Sequence, residues 1–201
     1  SNYKSYMTVV KFDDFANSTS EFVEGNPAMM LIKIINNIRE SAVMADLADK
    51  GKVSIEPMFV TVTSNVMDLD AHIYSNCPAS VLRRGDVHVV PRVKPQFRKE
   101  GSSALDSAKA NAFYTVDGVV QQPDIPDLWD CDVYQAVVQE RKTKTLTGSG
   151  QFNKENEQCI FVPIEHNGVK LLNVPLIKVV EYCLEDTKKH FAEQAEIVKR
   201  G

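Results

Sequence analysis

MTVVKFDD (residues 7–14) and PMFVTVTSN (residues 57–65) are the two stretches that decide the fold. Each is a short run of apolar and β-branched residues that stops at polar side chains, as strands do. Their apolar residues are nearly continuous, which is typical of parallel strands covered on both faces. The sequence therefore predicts two buried strands of an α/β fold, at residues 7–12 and 58–63.

A helix is predicted between these strands. Asn26 is a suitable N-cap, and Pro27 suits the first helical position. The apolar residues that follow recur at helical spacing: Leu31, Ile34, Ile35, Ile38 and Ala42. This pattern predicts an amphipathic helix that runs to about Leu47, followed by a turn at residues 49–52.

The next elements are a short helix at residues 78–84, stopped by Gly85, and a strand at residues 87–93. The order of strand, helix and strand predicts one parallel sheet. Beyond Pro95 the pattern changes, and the expected elements are a helix at 103–112, a strand at 128–138, a hairpin of residues 160–164 and 169–172, and a closing helix at 175–199. The expected organisation is an α/β part with flanking helices (1–95), followed by a small α+β region that ends in a long helix (96–201).

Composition excludes several classes of function. The net charge of −4 excludes binding of polyanions by bulk charge, so that any nucleic-acid contact must come from local Lys and Arg groups. No apolar run approaches the roughly 18 residues that span a bilayer. The four cysteines are far apart and form no C-x-x-C pair, which favours reduced thiols over a zinc site: Cys77, Cys131, Cys159 and Cys183.

The polar ends of the first two strands are the first candidate site. Ligands of open α/β sheets bind outside the carboxyl ends of the strands. Asp13 and Asp14 there have the chemistry to hold Mg²⁺, directly or through water, and to orient an attacking water for phosphoryl transfer. Asn65 ends the neighbouring strand, and its amide can bond both a water and a phosphate oxygen. Taken singly, these residues are better explained as a solvated turn and an ordinary polar strand end.

Two basic pairs are further candidates. Arg83 and Arg84 follow the short helix, where a guanidinium can stabilise charge on a transferring phosphoryl group. The alternative is two surface arginines at a helix C-terminus, where cations are favoured. Lys50 and Lys52 lie on the predicted turn, where a contact with nucleic-acid phosphates and a solvated turn explain them equally well.

The order of these motifs resembles a known family. The stretches VVKFDDF, MADLADKGK, FVTVTSN and PASVLRRG are similar to the superfamily 3 helicases of picornavirus-like RNA viruses, the 2C-type AAA+ ATPases. The resemblance covers residues 3–93, close to half of the chain, and the C-terminal half matches less clearly. It implies a partial AAA+ sheet, of the P-loop NTPase type, that lacks its phosphate-binding loop, because the motif G-x-x-x-x-G-K-[ST] is expected ahead of Ser1.

The resemblance also implies roles and partners. Asp13 and Asp14 match the acidic pair of the second ATPase motif, with Asp13 holding Mg²⁺ through water; Asn65 matches the nucleotide sensor, and Arg83 and Arg84 match the arginine fingers. The implied cofactors are ATP and Mg²⁺. The implied partners are RNA, further copies in a hexameric ring, other viral replication proteins, and host cytoplasmic membranes bound through a region outside this sequence.

Two other functions fit the same residues. One is a non-catalytic module for RNA binding and oligomer contacts, in which the final helix docks on a neighbouring subunit. The other is part of a cellular AAA+ ATPase, against which the T-S-N strand end and the short interval to the two arginines speak by resemblance. The sequence ahead of Ser1 would separate these functions, because a phosphate-binding loop there identifies the enzyme.

Overall fold

The chain forms two structural units in a computed structural model. The structure describes residues 8–15, 17, 25–35, 40–41, 54–55, 57–75, 77–140 and 157–200. The first unit comprises Ser1–Asp86 and Ala136–Ile160, and the second comprises Val87–Gln135 and Phe161–Gly201. The predicted functional boundary at residue 95 stays a prediction.

The elements alternate between short strands and helices along the chain. Up to residue 86 they are β1 (Val9–Phe12), α1 (Pro27–Ile35), β2 (Glu40–Ser41), β3 (Ser54–Ile55), β4 (Phe59–Val62), α2 (Ala71–Tyr74) and α3 (Pro78–Leu82). The later elements are β5 (His88–Val93), a 3₁₀ turn (Pro95–Phe97), α4 (Ser107–Phe113), β6 (Thr115–Val116), β7 (Val119–Val120), β8 (Trp129–Glu140), β9 (Glu157–Pro163), β10 (Glu165–His166), β11 (Val169–Lys170), β12 (Val174–Pro175) and α5 (Leu176–Arg200).

The first unit is built on a parallel pair of strands. β1 lies beside β4 in the register Val9 to Phe59 through Phe12 to Val62, which confirms the predicted parallel pairing. The three helices pack on one another, and the buried apolar residues come mainly from them: Phe15, Ala28, Leu31, Ile34, Ala71, Ala79, Val81 and Leu82. Asn26 caps α1 as predicted, since its Oδ1 accepts from the Met29 backbone N–H at 3.2 Å. Its Nδ2 donates to the Tyr74 carbonyl at 2.6 Å, which ties α1 to α2.

Two predictions for this unit are wrong. The first helix does not continue to Leu47, because Glu40–Ser41 is a strand that pairs antiparallel with Ser54–Ile55. The two strands are not buried on both faces, since Val9 is 53% exposed and Phe59 is 41% exposed. In the described part of the chain β1 and β4 form a two-stranded sheet, so alternate side chains face solvent. The turn predicted at residues 49–52 lies outside the described residues.

The second unit is an antiparallel sheet with a long helix. β8 pairs with β5, β9 and β12. The main hydrophobic core includes residues of β8. This core consists of Cys131, Val133, Ile164, Leu171 and Val179, with Trp129 packed against it. A second cluster of Phe97, Ala110 and Leu128 also contacts Trp129. The cysteines are free, and burial raises the pKa of the Cys131 thiol.

The strand at residues 88–93 corrects the predicted sheet. β5 exists, but it pairs antiparallel with Trp129–Tyr134 of β8 instead of joining β1 and β4 in a parallel sheet. The helices α3, α4 and α5 and the strand β8 are confirmed. The predicted hairpin of residues 160–164 and 169–172 is right in its turn but wrong in its first strand, because Glu165–His166 pairs with Val169–Lys170 and residues 160–163 belong to β9, which pairs with β8. The mixed α/β character is confirmed as well. None of the helices that the structure describes combines the length and apolar character needed to cross a bilayer.

Candidate nucleotide site

The ends of β1 and β4 are joined by backbone hydrogen bonds that continue past the strands. The Thr63 N–H donates to the Phe12 carbonyl at 2.9 Å, and the Phe15 N–H donates to the Thr63 carbonyl at 2.8 Å. Because the strands are parallel and in register, the residue after each strand, Asp13 and Thr63, is brought to the same edge. Asp13 and Asp14 therefore lie at the carboxyl ends of paired strands, as the sequence predicts.

Both carboxylate oxygens of Asp13 have protein partners. The Thr63 hydroxyl donates to Oδ1 at 2.6 Å, and the Lys11 ammonium lies 3.1 Å from Oδ2. The hydrogen bond from Thr63 lowers the pKa of Asp13 below its ordinary value, and the bond and charge of Lys11 lower it further. Lys11 and Asp13 are mostly exposed, so their ion pair contributes little to stability. Asp13 is thus held as an anion at the strand end.

Asp14 adopts a left-handed backbone conformation. Its φ is +51°, a region that Asp and Asn enter more readily than other non-glycine residues. Its N–H donates to the Thr63 hydroxyl oxygen at 3.1 Å, which fixes this conformation from the neighbouring strand. The Asp14 carboxylate makes no hydrogen bond or ion pair with the residues that the structure describes. It is therefore free to accept from a water or to meet a cation.

Asn65 is connected to the acidic segment through a residue that the sequence did not single out. Its Nδ2 donates to Asn17 Oδ1 at 2.9 Å, and the Asn17 N–H donates to the Asp14 carbonyl at 3.1 Å. Asn65 remains exposed beside the acidic pair. Its role toward a nucleotide stays a prediction.

The predicted arginine pair lies at the end of α3. The Arg83 N–H donates to the Ala79 carbonyl at 3.1 Å and closes the helix. The Arg84 guanidinium donates to the Ser80 carbonyl. Within the described ranges, neither guanidinium forms an ion pair with Asp13 or Asp14. Arg83 is exposed and Arg84 is half-buried, so both arginines are held by α3 and not by the acidic pair.

The comparisons with known proteins point to the same segment. The family model described as RNA helicase matches residues 1–66. This match is consistent with a fragment of a viral superfamily 3 helicase. It includes Asp13, Asp14 and Asn65, whereas Arg83 and Arg84 lie beyond it. No curated protein matches the chain.

The oxygen ligands at the ends of β1 and β4 fit Mg²⁺. This cation keeps several waters and takes one or two carboxylates together with substrate phosphates. Asp13 is held anionic, and the Asp14 carboxylate is not bonded to any of the described residues, so both supply suitable ligands. A second acidic group of Asp68, Asp70 and His72 has ligand atoms within 4.8 Å of one another. It surrounds an exposed turn in which Asp68 Oδ1 already accepts from the Asp70 N–H at 3.1 Å, as turn aspartates do without a metal.

Two site residues were missed, for different reasons. Thr63 belongs to the predicted polar strand end Thr63-Ser64-Asn65, but only Asn65 has a predicted role there, although the parallel register alone places Thr63 opposite Asp13. Asn17 gives no such signal, because its contact with Asn65 depends on the path of the loop after Asp14. Lys50 and Lys52 lie outside the described residues, so their predicted contact with RNA stays a prediction.

Proposed function

We propose that this chain is part of an NTP hydrolase and RNA helicase of a picornavirus-like RNA virus, which hydrolyses ATP in a hexameric ring during genome replication. The observation that supports it best is the Thr63 hydroxyl bonded to Asp13 across the ends of parallel strands. This site lies in the segment that the RNA helicase model matches. The exposed face of the β1–β4 pair, and its outer edges that pair with no other strand among the described residues, also fit a sheet completed by further strands.

In this function each of the site residues has its own role in phosphoryl transfer. Asp13 holds Mg²⁺ through water, and Asp14 accepts a hydrogen bond from the attacking water and orients it. Asn65 contacts the phosphates of the nucleotide. When bound, Mg²⁺ neutralises charge on the phosphate oxygens. The motif G-x-x-x-x-G-K-[ST] does not occur in the 201 residues, so in this function another part of the protein supplies the phosphate cradle.

The other proposed contacts are with the neighbouring subunit of the ring, with RNA and with membranes. Arg83 and Arg84 serve the nucleotide of the neighbouring subunit, which agrees with their lack of an ion pair to Asp13 or Asp14 among the described residues. Lys50 and Lys52 contact RNA phosphates in the central channel. The complete protein works in the host cytoplasm on membranes, with other viral replication proteins.

The test is steady-state ATP hydrolysis and RNA duplex unwinding by the longer protein that includes the phosphate-binding loop. Asp14→Asn should lower kcat at least about 100-fold, because the amide oxygen lacks the negative charge and basicity with which the carboxylate polarises the attacking water. Asp86→Asn is the matched control, since Asp86 is exposed and outside the site, and should leave turnover unchanged. If Asp14→Asn retains wild-type turnover, the proposed function is wrong. RNA binding without any turnover by the wild type would favour the non-catalytic module.

A subunit-mixing experiment tests the arginines separately. Arg84→Ala removes the finger but keeps the acidic pair, and Asp14→Asn does the reverse. Mixed rings should regain part of the turnover, since some interfaces then combine an intact acidic pair with an intact Arg84. No regain on mixing would exclude a role for Arg84 across the subunit interface.

A further inference from the structure

Thr63 makes two side-chain hydrogen bonds, one to each member of the acidic pair. A hydroxyl carries one donor and two acceptor positions. The Thr63 hydroxyl gives its proton to Asp13 Oδ1 at 2.6 Å and accepts the Asp14 N–H at 3.1 Å. The Thr63 hydroxyl oxygen, just past the end of β4, thereby orients the side chain of Asp13 and the backbone of Asp14.

These bonds are not needed to hold the strands together. The backbone of Thr63 already pairs with Phe12 and Phe15 at 2.9 and 2.8 Å. The strand register from Val9 to Phe12 is maintained by the backbones of β1 and β4. Thr63 is exposed, so its methyl group fills no core space. Among the described residues, the acidic pair is therefore the partner of this hydroxyl, and the Thr63 side chain lies outside the buried core.

We propose that Thr63 is a positioning residue for hydrolysis, which aligns Asp13 and Asp14 across the strand ends. This inference rests on the proposed function of the acidic pair. The hydroxyl fixes the orientation of the Asp13 carboxylate, which would hold Mg²⁺. It also stabilises the left-handed conformation of Asp14 (φ +51°), from which the direction of the Asp14 side chain follows.

The variants Thr63→Val and Thr63→Ser separate the hydroxyl from the shape of the side chain. Valine keeps the branched shape and removes both hydrogen bonds, whereas serine keeps the hydroxyl and removes a methyl group. With the longer protein that includes the phosphate-binding loop, Thr63→Val should lower kcat by about 10- to 100-fold, as expected for a misplaced catalytic group. Its KM for ATP should change less than about threefold, because the phosphate cradle supplies most of the nucleotide binding.

The second measurement is the dependence of turnover on Mg²⁺ concentration. Thr63→Val should raise the Mg²⁺ concentration for half-maximal turnover severalfold, since Asp13 loses the bond that orients it. Thr63→Ser should restore both kcat and the Mg²⁺ dependence to near wild type. A purely structural role for Thr63 would instead lower the unfolding midpoint and leave the Mg²⁺ dependence unchanged. If Thr63→Val fails to fold, Thr63→Ala serves as the variant without a hydroxyl.

The outcomes distinguish this inference from the proposed function. If the wild type turns over ATP in an Asp14-dependent manner and Thr63→Val matches it in kcat and Mg²⁺ dependence, the inference about Thr63 is wrong and the proposed function stands. An equal loss in Thr63→Ser and Thr63→Val would also overturn it, because the hydroxyl would then not be the active feature. A wild type without Asp14-dependent turnover would overturn the proposed function itself.

Discussion

At the scale of single residues, Asp132 connects three parts of the second unit. The Arg92 guanidinium of β5 binds its carboxylate with two nitrogens, one of which lies 2.9 Å from Oδ1. The Asn173 N–H donates to the same Oδ1 at 2.7 Å, and the Tyr134 hydroxyl lies 3.4 Å from Oδ2. The Arg92 bond is the main cause that lowers the pKa of Asp132 from 3.8 to about 2, and burial opposes it.

We predict that Asp132→Asn destabilises the second unit by about 2 kcal/mol at pH 7. The folded-state pKa lies below the unfolded value, so the carboxylate stabilises the fold above about pH 4. This stabilisation is lost as the pH falls through about 2, and the difference between variant and wild type should shrink over that range. Urea unfolding followed by the fluorescence of Trp129, the single tryptophan, measures it. Asp124→Asn is the exposed control, and an Asp132→Asn protein as stable as this control would contradict the prediction.

At the scale of elements, α4 depends on its N-cap. The Asp106 Oδ1 accepts from the Ala108 N–H at 3.0 Å and from the Lys109 N–H at 3.2 Å, which satisfies two free donors of the first turn. The helix buries Ala110 against Phe97 and Leu128. A seven-residue helix has few internal hydrogen bonds, so the hydrogen bonds of its N-cap contribute a large part of its stability.

We predict that Asp106→Ala lowers the free energy of unfolding by about 1 kcal/mol, and that Asp106→Asn lowers it by only a few tenths. Asparagine keeps the side-chain oxygen that accepts from the backbone, and alanine does not. Trp129 contacts the same cluster, so its fluorescence reports the unfolding of this region. Equal effects of the two substitutions would show that charge, and not capping, is what Asp106 contributes.

Local patterns predicted most elements, whereas their partners depend on contacts distant in sequence. The cap at Asn26, the helix α5 and the strand β8 follow from residues within or next to each element. The antiparallel partner of β5 lies about 40 residues further along the chain, and no feature of residues 88–93 specifies it. The sequence predicts a helix that continues past Ile35, because Ile38 and Ala42 keep the helical spacing. In the structure, however, Glu40–Ser41 pairs with Ser54–Ile55. Asp13 and Asp14 were predictable from their strand end, but the Thr63 and Asn17 contacts required the register and the loop path.

At the scale of the whole molecule, the net negative charge means that RNA binding depends on local basic groups. The chain has 23 Lys and Arg against 27 Asp and Glu, so RNA binding must come from particular residues. Replacing both Lys50 and Lys52 by Ala in the longer protein should weaken RNA binding and reduce its salt dependence, because two phosphate contacts are lost. Filter binding across a salt series measures both quantities. Lys188 and Lys189 of α5 give the control pair, and an unchanged salt slope for the Lys50 and Lys52 variant would remove them from the channel.

At this scale too, the central proposal is that Asp13 and Asp14 form part of an ATPase site and that the phosphate cradle is supplied from outside these 201 residues. Acceleration of phosphoryl transfer requires the triphosphate to be held in line with the attacking water. The acidic pair alone offers carboxylates but no backbone cradle for the β- and γ-phosphates. Exposed apolar side chains on β1 and β4, such as Val9 and Phe59, should also make the separate chain prone to self-association.

The most direct measurement is steady-state ATP hydrolysis by this chain alone and by the longer protein, each beside its Asp14→Asn variant. We expect no turnover by the separate chain above that of its variant, and Asp14-dependent turnover by the longer protein. Robust hydrolysis by the separate chain that Asp14→Asn abolishes would contradict the central claim, because a phosphate-binding element would then lie within these residues.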